Sequence, residues 1–186
     1  MIIFVYAMRK LTHAEISLKR TPYDKIPGAI RVPMVVVVDN VRSLYNVGSI
    51  FRTSDGAMIE KLFLTGYTPH PPRKEIEKTA LGSTASVPWE FRKNPSEIVI
   101  EMKKKGYTIC SLELTDSSIP YFDIATSHFP LCLIVGNEIA GISKDLIDLS
   151  DISIEIPMFG TKQSLNVAVA YGIAVFELAR IWRQGR

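Results

Sequence analysis

Four consecutive valines, Val35 to Val38, sit in a run with no polar residue until Asp39. A β-branched stretch of this kind favours extended backbone and offers neither face to water. It predicts a strand over residues 33–39 inside a sheet covered by helices on both sides, which requires parallel neighbours joined by right-handed crossovers. The remaining sequence supplies such an alternation. Residues 46–58 read as a helix and 61–66 as a second strand; 67–73 form a Pro-rich loop, 75–81 a short helix and 87–91 a short strand. Asn94 or Ser96 caps a helix running to Lys105, ended by Gly106. Strands are expected at 107–114, 131–136 and 152–157, with a short helix at 144–149 and an irregular connection, carrying one helical turn, at 115–129. The fold class is α/β, a mostly parallel sheet flanked by helices.

The final helix is apolar nearly all round: Leu165, Val167, Ala168, Val169, Ala170, Ile173, Ala174, Val175, Phe176 and Leu178. Ser164 is placed to cap it. Arg180 and Arg183 follow at once, and the run is too short and alanine-rich to require a bilayer. Such a helix is central to its domain or half inside a subunit interface. Val167, Tyr171, Ala174 and Leu178 recur on one side and are the expected interface positions; alternatively, all four face one core. The loop before the helix suits a small ligand with an anionic end.

The net charge of +3 permits nucleic-acid binding without demanding it. Between residues 9 and 31, Arg9, Lys10, Lys19, Arg20, Lys25 and Arg31 face only Glu15 and Asp24. That surplus of four exceeds the whole chain's. Residues 1–31 therefore read as a basic arm preceding a domain at 32–186. The arm is either a solvated segment, with a short helix from Thr12, or a phosphate-contacting element. Cys110 and Cys132 lie in apolar strand-like runs, as buried free thiols of a reducing cytoplasm. No cysteine–histidine spacing suggests a metal site. The first eight residues are apolar but too few to span a membrane, and Met8 reads as a natural start. A cytoplasmic protein without a membrane segment is expected. The Gly-rich fingerprints of dinucleotide and P-loop sites are absent. Periodicity alone thus reaches an α/β domain binding a ligand at its strand ends, such as a flavodoxin-like nucleotide-binding module.

Three segments carry chemistry. In NVGSIFRTSDGAM (46–58), Asn46 is placed to cap the helix, while Gly48, Arg52 and Gly56 share one helical face. A helical glycine costs about 1 kcal/mol relative to alanine, so two flanking an arginine suggest close approach by another helix or a phosphodiester. In IVGNEIAGIS (134–143), a buried strand ends at Gly136 and Glu138 follows in a glycine-bounded loop. The third segment, from Ile156 to Asn166, joins the last strand to the apolar helix. In this order the three resemble the three motifs of the SpoU (TrmH-type) RNA 2′-O-ribose methyltransferases, of the knotted SPOUT class. Asn46, Gly48 and Arg52 match the first, Gly136, Glu138 and Gly141 the second, and Ile156, Pro157, Met158, Ser164 and Asn166 the third. The segment KTALGSTASVPW (78–89) is also similar to one in some members.

The resemblance implies an α/β fold with a C-terminal trefoil knot and a homodimer paired through the C-terminal helix. It implies S-adenosyl-L-methionine held by Leu112, Gly136, Ile156 and Ser164, with Pro157 and Leu165 nearby, and no metal. It implies that Arg52, Asn46, Glu138, Ser164 and Asn166 serve catalysis. Arg52 would hold the phosphate beside the target ribose, with a role as base left open. Asn46, Ser164 and Asn166 would orient ribose and phosphate, and Glu138 would fix Arg52 or Asn46. The function so implied is 2′-O-methylation of a ribose in RNA, tRNA favoured over rRNA. The alternative is a non-catalytic RNA-binding protein of the same fold. With about 30 residues before the first strand, substrate choice would rest on the basic arm, the Pro-rich loop and the dimer surface.

Overall fold

Seven strands make one sheet: β1 (Val32–Asp39), β2 (Ile59–Thr65), β3 (Trp89–Arg92), β4 (Thr108–Leu112), β5 (Ile119–Pro120), β6 (Leu131–Val135) and β7 (Ile152–Glu155). The structure, a computed structural model, describes residues 8–185. The apolar stretch before Met8, read as too short to span a membrane, lies outside them. The strand order is β3-β2-β1-β6-β4-β7-β5 and each pairing is parallel.

The valine run lies next to the central strand, β6, and is buried on both faces, as its composition requires. Met34, Val36 and Val38 enter one hydrophobic cluster, and Val35 and Val37 enter the other. The first is closed by α2 (Leu44–Ala57), α3 (Lys74–Ala80) and α7 (Val167–Gln184). The second is closed by α5 (Pro95–Lys104) and α6 (Lys144–Leu149). A four-residue α4 (Ser83–Ser86) follows α3. β6 runs between β1 and β4, so the direction of winding reverses there, where open α/β sheets form ligand crevices beyond their strand ends.

Several elements begin elsewhere than the sequence suggests. Helix α2 starts at Leu44, and Ser43, not Asn46, caps it: the Asn46 N–H donates to Ser43 Oγ at 3.3 Å. Helix α7 starts at Val167 and is capped by Asn166, whose Oδ1 accepts from the N–H groups of Ala168 and Val169. Ser164 is exposed in the preceding loop and caps nothing. β2 starts at Ile59 because Met58, with φ 57°, ends α2 and turns the chain directly into it. The connection at 115–129 holds the two-residue edge strand β5 and two short 3-10 turns.

Gly48 is buried where α2 meets α3. A Cβ there would strike the Ile76 carbonyl and Thr79 Oγ1, so a neighbouring helix accounts for this glycine. Tyr171, Ala174 and Leu178 are fully buried in the chain's own core, and Val167 packs against it. The face expected to pair with a second subunit is therefore the core face. Tyr171 also shares a hydrogen bond of 2.7 Å with Ser54 on α2. The exposed stripe of α7 is Val169, Ile173 and Phe176.

The described residues up to Ile30 form a unit separate from the one that begins at Arg31. In it, α1 (His13–Leu18) is held by a capping box between Thr12 and Glu15. The Arg9 guanidinium and Thr12 hold the Glu15 carboxyl down at about 2. Arg31, counted with the basic arm by sequence, instead donates to the carbonyls of Ile59 and Ser86 in the larger unit.

Candidate active site

β4, β6 and β7 end side by side, and the loops that leave them meet the start of α7 around a cavity of about 360 Å³. Leu112, Gly136, Ile156, Ser164 and Leu165 all line it, as do Glu138 and Met158; Pro157 does not. The loop after β6 closes on itself. Asn137 and Gly141 exchange backbone hydrogen bonds of 3.1 and 3.0 Å, and Asn137 Oδ1 accepts from the N–H groups of Ile139 and Ala140. Gly141 has φ +67°, and a Cβ there would run into the Glu113 carboxylate, which accepts from the Ile142 N–H at 3.0 Å. The glycine thus serves both the turn and the approach of a carboxylate.

The lining contains Glu113, Glu138 and Glu155 and no lysine, arginine or histidine. Apolar walls with carboxylates favour a small cationic ligand. The anionic end expected beside the helix start is not matched by the charge of this lining. Glu113, Asn137 and Glu155 were missed by sequence reasoning. Their positions directly beyond or at the C-terminal ends of buried strands were the available signal.

The three motifs are tied by one chain of side chains. Glu138 accepts from the Arg42 N–H at 3.1 Å, the Ser43 N–H at 3.3 Å and Asn46 Nδ2 at 2.9 Å. Asn46 Oδ1 accepts from Asn166 Nδ2 at 3.1 Å. Asn166 Oδ1 is occupied by the cap of α7. A carboxylate only accepts, so Asn46 must turn its amide nitrogen to Glu138 and its oxygen to Asn166. Both amides are therefore fixed in orientation by chemistry. Burial opposes ionisation of Glu138, but the bonds from Arg42, Asn46 and Ser43 outweigh it and hold its carboxyl below the ordinary glutamate range.

Of the two partners foreseen for Glu138, the structure supplies Asn46. Arg52 lies on the exposed surface of α2, six residues beyond Asn46, about 9 Å along the helix. It does not line the cavity and makes no hydrogen bond or ion pair among the described residues. Its helix neighbours Thr53 and Gly56 face Gly172 and the Phe176 ring of α7. Among the described residues no cluster of His, Cys, Asp or Glu could hold a metal, and no helix is long and apolar enough to cross a membrane. Cys110 and Cys132 are buried and unpaired, and burial raises both thiols, Cys132 to about 12.

Residues 33–176 match the SpoU rRNA Methylase family. A tRNA (guanosine(18)-2′-O)-methyltransferase of Aquifex aeolicus is 34% identical over 148 residues, covering 79% of this chain and 69% of that protein. A 23S rRNA (guanosine(2553)-2′-O)-methyltransferase of Bacillus subtilis is 32% identical over 157 residues, covering 84% of this chain and 61% of that protein. The AdoMet-bound rRNA methyltransferase of Sinorhizobium meliloti superposes with a TM-score of 0.75 at 29% identity, over 86% of this chain and 60% of that one. The chain thus spans less than two thirds of the second and third of these. With the parallel sheet, the three loops at one cavity and a match over most of its length, the chain belongs to the SpoU family of RNA 2′-O-ribose methyltransferases.

Proposed function

We propose that this protein transfers a methyl group from S-adenosylmethionine to a ribose 2′-hydroxyl of RNA, with tRNA the favoured substrate. The observation that carries the reading is the Glu138–Asn46–Asn166 chain at the edge of a carboxylate-lined cavity. The preference for tRNA rests on the Aquifex enzyme, of which the chain covers the larger share; the Bacillus enzyme acts on rRNA.

The cavity fits the cofactor's chemistry. Leu112, Ile156 and Leu165 offer apolar walls for an adenosyl group, and Glu113 and Glu155 offer negative charge to a sulfonium and an ammonium. When bound, S-adenosylmethionine supplies a methyl on a positively charged sulfur, so the protein need not furnish a nucleophile. Its residues must align the ribose oxygen and accommodate the departing proton. Asn46 and Asn166, locked by Glu138 and the helix cap, present fixed polar edges for this, with the Ser164 hydroxyl on the cavity wall. Glu138 is a positioning residue: its oxygens already accept three bonds, and a lowered pKa makes it a poor base. Arg52 would hold the phosphate next to the target ribose, since a guanidinium stays protonated and forks well onto phosphate.

The same reading includes a homodimer seated on Val169, Ile173 and Phe176, a stripe that would cost solubility if left bare. Gly56, one helical turn from Arg52, meets Phe176 of that stripe, so pairing there would bring Arg52 towards a subunit boundary. The trefoil knot and a cytoplasmic location belong to this proposal; unpaired buried thiols support a reducing compartment. Purified protein, labelled S-adenosylmethionine and unfractionated tRNA or rRNA test it: the label should enter RNA at alkali-resistant ribose positions. Cofactor and RNA binding without transfer would favour the non-catalytic alternative, and no cofactor binding would sink the assignment.

A further inference from the structure

A second cavity, of about 440 Å³, lies beyond the wall of the first, with Arg42, Tyr67, His70, Arg73 and Phe91 in its lining. No acidic residue lines it, and the guanidinium groups of Arg42 and Arg73 have no ion-pair partner among the described residues. Tyr67 and Phe91 are exposed residues, at 60% and 38%. The loop that carries Tyr67 and His70 is fixed. Thr68 Oγ1 accepts from the Val41 N–H at 3.1 Å and donates to the Val38 carbonyl at 3.0 Å, and the Tyr67 N–H donates to Asn40 Oδ1 at 3.2 Å. His70 packs on Phe91 and Trp89, with ring centroids 4.8 and 6.1 Å away.

Two contacts join this cavity to the candidate active site. Tyr67 Oη accepts from Asn137 Nδ2 at 2.8 Å, and Asn137 lines the first cavity. The Arg42 N–H donates to Glu138, which also lines the first cavity and holds Asn46. One cavity is lined by carboxylates and apolar side chains; its neighbour is lined by arginines and aromatic rings. Guanidinium forks suit phosphates, and an exposed ring suits an unstacked base.

We infer that the second cavity binds a nucleotide of the RNA strand that flanks the target ribose. Arg42 and Arg73 take its phosphates and Tyr67 stacks on its base. The inference rests on the methyltransferase reading and names the part of the surface that selects RNA. The loop of residues 67–73 then contributes to substrate choice directly.

Fluorescence anisotropy with a labelled mixed-sequence oligoribonucleotide of about 12 nucleotides tests it, that length covering a site of several nucleotides. Calorimetry with S-adenosylhomocysteine on the same preparations reports the first cavity. The double variant Arg42→Gln, Arg73→Gln should lose at least about tenfold in RNA affinity, and its log–log salt slope should fall by about 1.4, for two single-strand phosphates. Tyr67→Ala should lose about tenfold, the range of one base stack, while Tyr67→Phe keeps the ring and the affinity. Cofactor-product affinity should hold in all three. Unchanged RNA affinity and salt slope in the double variant, or equal losses in Tyr67→Phe and Tyr67→Ala, overturns the inference. A wild-type protein that binds the oligoribonucleotide but not S-adenosylhomocysteine strikes the methyltransferase reading and leaves this site standing.

Discussion

Asn46 donates its side-chain amide to Glu138 at 2.9 Å, joining residues 92 positions apart. The bond fixes which end of Asn46 faces Asn166 and so connects the start of α2, the loop after β6 and the cap of α7.

Glu138→Gln tests that connection. Glutamine keeps the size but replaces one acceptor oxygen with a donor, set against N–H groups of Arg42, Ser43 and Asn46. Hydrogen bonds to a charged partner are worth roughly 1.5–3 kcal/mol, so kcat should fall about ten- to a hundredfold or more. The pH profile separates positioning from general loss. Because the folded carboxyl lies below its ordinary value, its contribution is present above that value and is lost as pH falls through the folded pKa. The wild type should begin to lose this stability as pH falls through the ordinary glutamate range and go on losing it until pH is below the folded pKa. The glutamine variant should lack that acid limb in a thermal-melt series. Retention of the limb in the variant would assign it to another group.

Asp39 behaves with the opposite sign. It is 1% exposed at the end of β1; burial raises its pKa, opposed by donors from Thr65 Oγ1 and Asn40 Nδ2. A raised folded pKa contributes stability below the ordinary aspartate value and loses it as pH rises through the folded one. Asp39→Asn should therefore gain stability relative to wild type as pH rises from about 4 towards neutrality, where aspartate ordinarily titrates. Melting temperatures of both proteins across that window check it. A gap that stays constant with pH would mean that Asp39 titrates normally.

The sheet was legible because Val35 to Val38 need nothing beyond composition to demand two covered faces. The caps were misplaced for a local reason. Ser43 and Asn46, like Ser164 and Asn166, lie within one turn of each other and are all capping residue types, so the sequence alone leaves the helix start open by a turn. Helix α7 is apolar on every side, so its periodicity carries no phase. Only its packing against α2 and β1 shows that Tyr171 and Leu178 face inward and Ile173 and Phe176 outward. Glu113 and Asn137 acquire their roles from loops of separate strands, which no spacing reports. Gly48 was recognised as a place of close approach, and the approaching group is the backbone of α3.

The exposed stripe yields a prediction on assembly. Ile173→Glu or Phe176→Glu should give a folded, soluble monomer in sedimentation, because each places its charge on the outer face. Ala174→Glu places a charge in a fully buried position and should aggregate or unfold, since an unpaired buried charge costs several kcal/mol. A wild-type protein that sediments as a monomer would remove the dimer from the proposal.

Arg52 gives the sharpest test of the chemistry. It stands outside the cavity, exposed, and free of partners among the described residues, so it spends no bonds on the fold. Arg52→Ala should leave the melting temperature and S-adenosylhomocysteine affinity nearly unchanged while abolishing methyl transfer. Arg52→Lys keeps the charge but loses the planar fork and should also be severely impaired. A phosphate contact alone is worth roughly 1.5–3 kcal/mol, at most about a hundredfold. A larger loss in kcat at saturating RNA would place Arg52 in the transition state, by alignment or proton transfer. If instead only KM for RNA rises, the arginine contributes ground-state binding. Near-normal activity of the alanine variant would make Arg52 a solvated residue on the α2 surface, and phosphate positioning would have to come from elsewhere.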